Sequence, residues 1–78
     1  MTKNESNRYV ALNVQKALEK AGYTIAEASR QTGIAKSTLS RRLQSPEISS
    51  FSVRELDKLA DLTKRSTFSF LKIPVKES

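Results

Sequence analysis

Apolar residues at Val10, Val14, Ala17, Leu18 and Ala21 recur at i, i+4, i+7, i+8 and i+11, the spacing of one buried stripe on an α-helix. Asn13, Gln15, Lys16, Glu19 and Lys20 cover the other side. The pattern predicts a first helix from about residue 5, preceded by a frayed polar end at 1–4. Gly22 follows the last apolar position, where a left-handed residue is commonly needed. Thr24 and Glu27 then stand at the spacing of a capping box, in which each side chain satisfies the other residue's free backbone N–H. They open a second helix through Ala26, Ala28 and Ser29 to about Thr32, whose small side chains let another helix approach closely. Gly33 permits the positive φ that redirects the chain. A third helix starts near Lys36 and turns Leu39 and Leu43, one turn apart, inward. It stops at Ser45-Pro46, because the residue before proline resists helical geometry.

Beyond the loop at 46–50, Ser52 and Glu55 form a second capping box, with Phe51 and Leu56 placed as its hydrophobic staple. The fourth helix continues through Val53, Leu56, Leu59, Ala60 and Leu62. After it, Phe68, Phe70, Leu71, Ile73 and Val75 fit a short fifth helix capped by Ser66 and ended by Pro74. They also fit a strand with a slip in register, which Pro74 would confine to a sheet edge; the helix is the favoured reading. The fold class that follows is all-α: a compact bundle of about five short helices in a single domain, 1–78. A helix-turn-helix core occupies 24–44, with 1–4 and 74–78 as flexible ends. A core of this size is only marginally stable, so local helix packing or a dimer contact is expected to support it.

Composition narrows the function. Hydrophobic residues at 37% and charged residues at 28% suit a globular domain rather than a disordered chain. A net charge of +6 and a pI near 10.0 favour a polyanionic partner, nucleic acid ahead of an anionic membrane surface. The charge is uneven: between Glu27 and Glu47 there is no acidic residue, while Arg30, Lys36, Arg41 and Arg42 all fall there. With no cysteine and no histidine the chain has no disulfide framework, no usual zinc site and no histidine-based triad. No base, oxyanion site or glycine-rich phosphate loop is evident, so neither an enzyme nor a metal, cofactor or small-molecule ligand is expected. No apolar run approaches the ~20 residues that span a bilayer, and an intracellular, cytoplasmic protein without membrane attachment is the simplest expectation.

The richest stretch is the third helix. With Leu39 and Leu43 turned inward, Lys36, Ser37, Ser40 and Arg41 are directed outward, flanked by Thr38 and Arg42. Lysine and arginine can donate to guanine O6 and N7, serine and threonine to bases or phosphates, and the threonine methyl can touch a thymine methyl. Short side chains at 37, 38 and 40 also let the helix axis sit deep in a groove. The blander reading is a basic solvated face beside an ordinary glycine stop. A capped second helix, a glycine turn of the right length and an acid-free outer face occurring together favour double-stranded DNA. Tyr9 and Tyr23 read as core-edge residues, and five aromatics without regular spacing do not make an RNA-stacking surface.

Those residues carry a resemblance. The arrangement Leu18…Gly22-Tyr-Thr24…Ala28-Ser-Arg-Gln-Thr-Gly33-Ile…Ser37-Thr-Leu39-Ser-Arg, followed by Leu56…Leu59-Ala60 and Phe70-Leu71, resembles the helix-turn-helix domain of the Cro and lambda-repressor-like family. The resemblance covers 14–71 and implies a five-helix bundle whose third helix reads the major groove, usually as a dimer on a two-fold operator. By position, Lys36, Ser37, Thr38, Ser40 and Arg41 are then the base-reading set. Thr24, Arg30, Arg42, Gln44 and Ser50, with the backbone amides opening helices 2 and 4, are the expected phosphate contacts. Phe68, Phe70 and Ile73 are candidates for a homodimer interface, or for sealing the core. The chain departs from the family at Ser29, where alanine is usual, and at Ile25, where many members carry a phosphate-binding glutamine. It departs again at Ala35, in place of a polar cap, and at Lys64, in place of glycine. The expected function is a sequence-specific transcriptional regulator of the small phage-repressor kind, acting in a bacterial cytoplasm by occluding an operator. An antitoxin that represses its own operon and an excision or DNA-architecture factor are the competing classes.

Overall fold

The computed structural model describes the backbone of residues 3–71 and the side chains of 7–71. Five helices follow in order: α1 (Lys3–Ala21), α2 (Ile25–Thr32), α3 (Lys36–Gln44), α4 (Val53–Thr63) and α5 (Thr67–Phe70). α1 begins two residues ahead of the start expected near residue 5, within a polar stretch where the apolar stripe gives no start signal. α1 packs on α3, α4 and α5, while α2 bridges α3 and α4. The largest fully buried side chains are Val14, Leu39, Leu59 and Phe70, one each from α1, α3, α4 and α5. Ala28 of α2 is also fully buried, the close approach that its missing side chain allows.

The capping chemistry appears where the sequence places it. Thr24 Oγ1 accepts from the Glu27 N–H at 3.1 Å while Glu27 accepts from the Thr24 N–H at 2.9 Å. Ser52 and Glu55 repeat the exchange at 3.2 and 2.9 Å. At the other ends, Gly22 and Gly33 take φ of +82° and +80°. Lys64 adopts the same left-handed conformation at φ +57°, although it carries a Cβ. The reason is local: its N–H and that of Arg65 donate to the Asp61 and Ala60 carbonyls at 3.3 and 2.9 Å, closing α4 by the pattern that normally uses glycine.

α5 resolves the alternative at 66–75 for the residues described. The Ser69 N–H donates to the Ser66 carbonyl at 3.0 Å, and the segment coils. Phe68 is 80% exposed and Phe70 only 1%. Residues two apart share one face of a strand but lie about 200° apart on a helix, so one ring turned out and the other in is the helical arrangement. Phe70 is thereby corrected as an interface candidate: a ring closed inside the core, with its carbonyl accepting from Asn13 Nδ2 at 2.9 Å, has no surface to present. Ile73, and the ends at 1–2 and 72–78, lie outside the described residues.

Candidate nucleic-acid interface

α3 is an isolated patch of exposed chemistry on a buried footing. Leu39 is fully buried and Leu43 half-buried against the core, which fixes the helix's rotation. At about 100° per residue, Arg41 points opposite the midpoint of those two leucines. Ser37, Arg41 and Gln44 follow one another at i, i+4 and i+7 along the outward row, and all three are exposed, as is Lys36 at the helix start. Thr38 and Ser40 are half-buried on its borders. Ser37, Thr38, Ser40 and Arg41 therefore lie on or beside one face, while Lys36, which the same wheel sets next to Leu43, is exposed because it opens the helix. Gln44, expected at a phosphate, stands in line with Ser37 and Arg41.

The turn that sets this helix at its angle is more elaborate than a glycine alone. The Gly33 N–H donates to the Ser29 carbonyl at 2.9 Å. The Ser29 hydroxyl reaches over the turn to the Ile34 carbonyl at 2.6 Å. Thr32 Oγ1 donates to the Ala28 carbonyl at 2.6 Å and accepts from the Ile34 N–H at 3.2 Å. Ile34 itself is buried. Serine in place of alanine at 29 is thus a working part of the turn, invisible to a spacing argument because its acceptor is a carbonyl five residues on. Ala35 opens α3 with no side-chain cap, as its methyl group requires.

The start of α2 lies beside the end of α3. Thr24 and Ile25, together with Leu43 and Gln44, line one groove of about 290 Å³. Ile25 is half-buried and packs against the core, so α2 offers no side-chain clamp at its first position. Its two amides not satisfied by the box, those of Ile25 and Ala26, have no carbonyl within the helix to bond. Glu27 keeps its carboxyl below the usual range because the Thr24 backbone N–H donates to it, with the Thr24 hydroxyl next and Arg30 a smaller contribution. Arg30 is exposed on the last turn of α2, and Ser50 is exposed two residues before the cap of α4.

Arg42 is the residue whose surroundings differ most from expectation. Its Nε lies 2.8 Å from Glu55 Oε1 and its Nη1 donates to Ser49 Oγ at 2.8 Å. The Nε contact is a close charge contact rather than an aligned N–H···O bond. Both side chains are mostly covered, at 23% and 19% exposure. Glu55 Oε1 also accepts the Ser52 N–H, so one carboxylate oxygen serves the cap of α4 and the flank of α3 together. Reading Glu55 as half of a capping box hides this second role, since a partner thirteen residues back leaves no periodic signal. Glu47, at the edge of the acid-free stretch, has only a loose exposed contact with Arg8 at 3.8 Å; such surface pairs contribute about 0–1 kcal/mol.

Among the described residues no group of three or more acidic, histidine or cysteine side chains is placed to hold a metal. No helix among them is long and apolar enough to cross a membrane. A helix-turn-helix family model matches residues 14–70, from the middle of α1 through α5. No curated protein and no solved structure matches the chain.

Proposed function

We propose, from the premise that this chain belongs to the Cro and lambda-repressor-like helix-turn-helix family, that it is an operator-binding repressor that reads DNA through α3. Members of this family are DNA-binding transcriptional regulators; the operator, the repression and the residue roles are the further step. The observation that carries it is the exposed, acid-free row on α3, held rigid by a fully buried Leu39. In this reading Lys36 and Arg41 donate to base edges, and Ser37, Thr38 and Ser40 let the helix axis approach closely. Gln44 reaches an adenine or a phosphate from the same row. Thr24, Arg30, Ser50 and the opening amides of α2 and α4 hold the backbone in register.

One unit of this size buries little DNA, so a homodimer on a two-fold site supplies the affinity. Phe68, 80% exposed, and Leu71, 46% exposed, are the apolar side chains that this dimer would cover. Occupancy of the operator then excludes polymerase, with no ligand or cofactor in the cycle.

Selection of tight binders from a randomised duplex pool, followed by footprinting of the enriched sequence, tests the proposal. A two-fold consensus with protection at two sites one helical turn apart is expected. A pool that stays random while the protein bends every duplex supports an architectural factor instead. A pool that stays random with no bending, and a stoichiometric protein partner recovered from the native host, supports an antitoxin.

A further inference from the structure

We propose that Arg42, which the sequence pattern aligns with the phosphate contacts, is a positioning residue that sets the DNA-reading angle of α3 from inside the protein. The proposal rests on the reading of α3 as the base-reading helix. Arg42 lies on the border of α3, about 60° from Leu39 and about 100° from Leu43 on the wheel, and away from the Lys36–Ser40 border. From there its guanidinium reaches Glu55 at 2.8 Å and Ser49 at 2.8 Å, joining the last turn of α3 to the loop at 45–50 and to the first turn of α4. The guanidinium meets its two partners through separate nitrogens, Nε beside Glu55 and Nη1 on Ser49, whereas an ammonium group has a single nitrogen.

The loop it ties is short and otherwise locally bonded: Ile48 and Ser49 N–H groups both return to the Ser45 carbonyl, at 3.0 and 2.9 Å. Ser50 ends this loop and the opening amides of α4, the other proposed backbone contacts here, come soon after it. Arg42 therefore fixes the distance between the base-reading row and a phosphate-holding segment. Leaving Glu55 to reach a phosphate would strip a mostly covered carboxylate of its cation, so the two roles exclude each other.

The roles predict opposite signs. The probes are the duplex enriched by the wild-type protein and a scrambled duplex of equal length, and the readout is the ratio of their affinities with its salt dependence. That ratio cancels any loss of folded protein, which thermal melting checks separately. For Glu55→Gln, whose amide oxygen still accepts the Ser52 N–H, the positioning role predicts about a tenfold fall in the ratio, within the worth of one misplaced base contact. A phosphate role predicts tighter binding to both duplexes, because an acid near DNA has been removed. For Arg42→Lys, positioning again predicts a fall of about tenfold with an unchanged salt slope. A phosphate role predicts near-wild-type binding, since lysine neutralises phosphate as well. Arg42→Met under a phosphate role lowers the slope by about 0.9 for each subunit bound; under positioning the slope holds and the ratio falls. Variants that leave the ratio at its wild-type value overturn this proposal while the DNA reading stands. A wild-type protein that enriches no duplex overturns both.

Discussion

Arg41→Ala is the sharpest perturbation of the proposed interface, because the structure separates its binding role from its structural one. The side chain is exposed and lies opposite the buried leucines of α3. No ion pair to another described residue holds it. Its loss removes one bidentate donor to guanine, worth about 1–3 kcal/mol of discrimination, or roughly 5–150-fold per half-site at about 1.4 kcal/mol per tenfold. A two-fold complex carries the change twice, so the enriched duplex should lose about 2–6 kcal/mol.

The structural cost is small. Arg41 stands in the last turn of α3, where a cation offsets the helix dipole by about 0.3–1 kcal/mol. Alanine's better helix propensity returns a few tenths of a kcal/mol. The melting temperature should therefore move by less than about 6 °C for a domain of this size. Fluorescence anisotropy against the enriched duplex, and against duplexes altered at each base pair of one half-site, measures the effect. Preference should vanish at one or two base pairs and persist at the others. A variant that keeps every positional preference while binding more weakly to all duplexes would show that Arg41 touches only phosphate, and that the outward row does not read bases.

Three further outcomes follow from the backbone and the caps. Gly33→Ala should destabilise the fold by about 1–2 kcal/mol in urea unfolding. A Cβ there meets nothing within 4 Å, so the cost comes from the positive φ alone and should not grow in Gly33→Ser. Lys64→Gly should raise stability by up to about 1 kcal/mol, because the left-handed conformation is already adopted at φ +57° and glycine removes its strain. A loss there on thermal melting would mean that the lysine side chain contributes more than its backbone costs. Glu27 has its carboxyl held below the usual range in the folded state, mainly by the Thr24 backbone N–H. The stability that its ionised form adds is fully present above the unfolded-state pKa, about 4.3, and disappears as pH falls through the lower folded value. Melting curves from pH 7 to pH 3 should therefore fall more steeply for the wild type than for Glu27→Gln, and parallel curves would exclude the linkage.

The helices of this fold are written locally and so were readable. Two capping boxes, two glycines with positive φ and one proline after serine place the boundaries of α2, α3 and α4, each by an interaction within a few residues. The outward face of α3 was readable for the same reason, since a helix with leucines at 39 and 43 has its opposite side determined. Partners separated by longer stretches were not. Arg42 sits on the flank of α3, where periodicity assigns neither core nor solvent, and its partner lies on another helix. Ser29 stands where alanine is usual, and its role is not legible there because its acceptor belongs to the turn's backbone. Phe68 and Phe70 stand two apart, a spacing that puts both on one face of a strand but on opposite sides of a helix, and only the coil of the chain separates the ring that seals the core from the one that faces out.

These long-range bonds cluster around α3 for a physical reason. A helix that must enter a groove carries small polar and cationic side chains, and α3 accordingly has one fully buried residue and no side-chain cap. Nine residues with so little to bury do not hold a helix in water by themselves. What DNA reading removes from the helix has to be supplied at its ends. At the start, the Ser29 hydroxyl and Thr32 fix the turn and the buried Ile34 anchors it. At the finish, Arg42 reaches Glu55 and Ser49, and Glu55 is itself fixed by the cap of α4. The second capping box therefore acts at a distance: by ordering Glu55 it also orders the flank of α3. Loss of the Ser52 hydroxyl, which touches no residue of α3, should then loosen α3 as well as α4. Amide exchange would record this as reduced protection in Leu43 and Gln44 of a Ser52→Ala variant. Exchange accelerated only within α4 would place the two helices in separate cooperative units and leave α3 held by Leu39 and its turn alone.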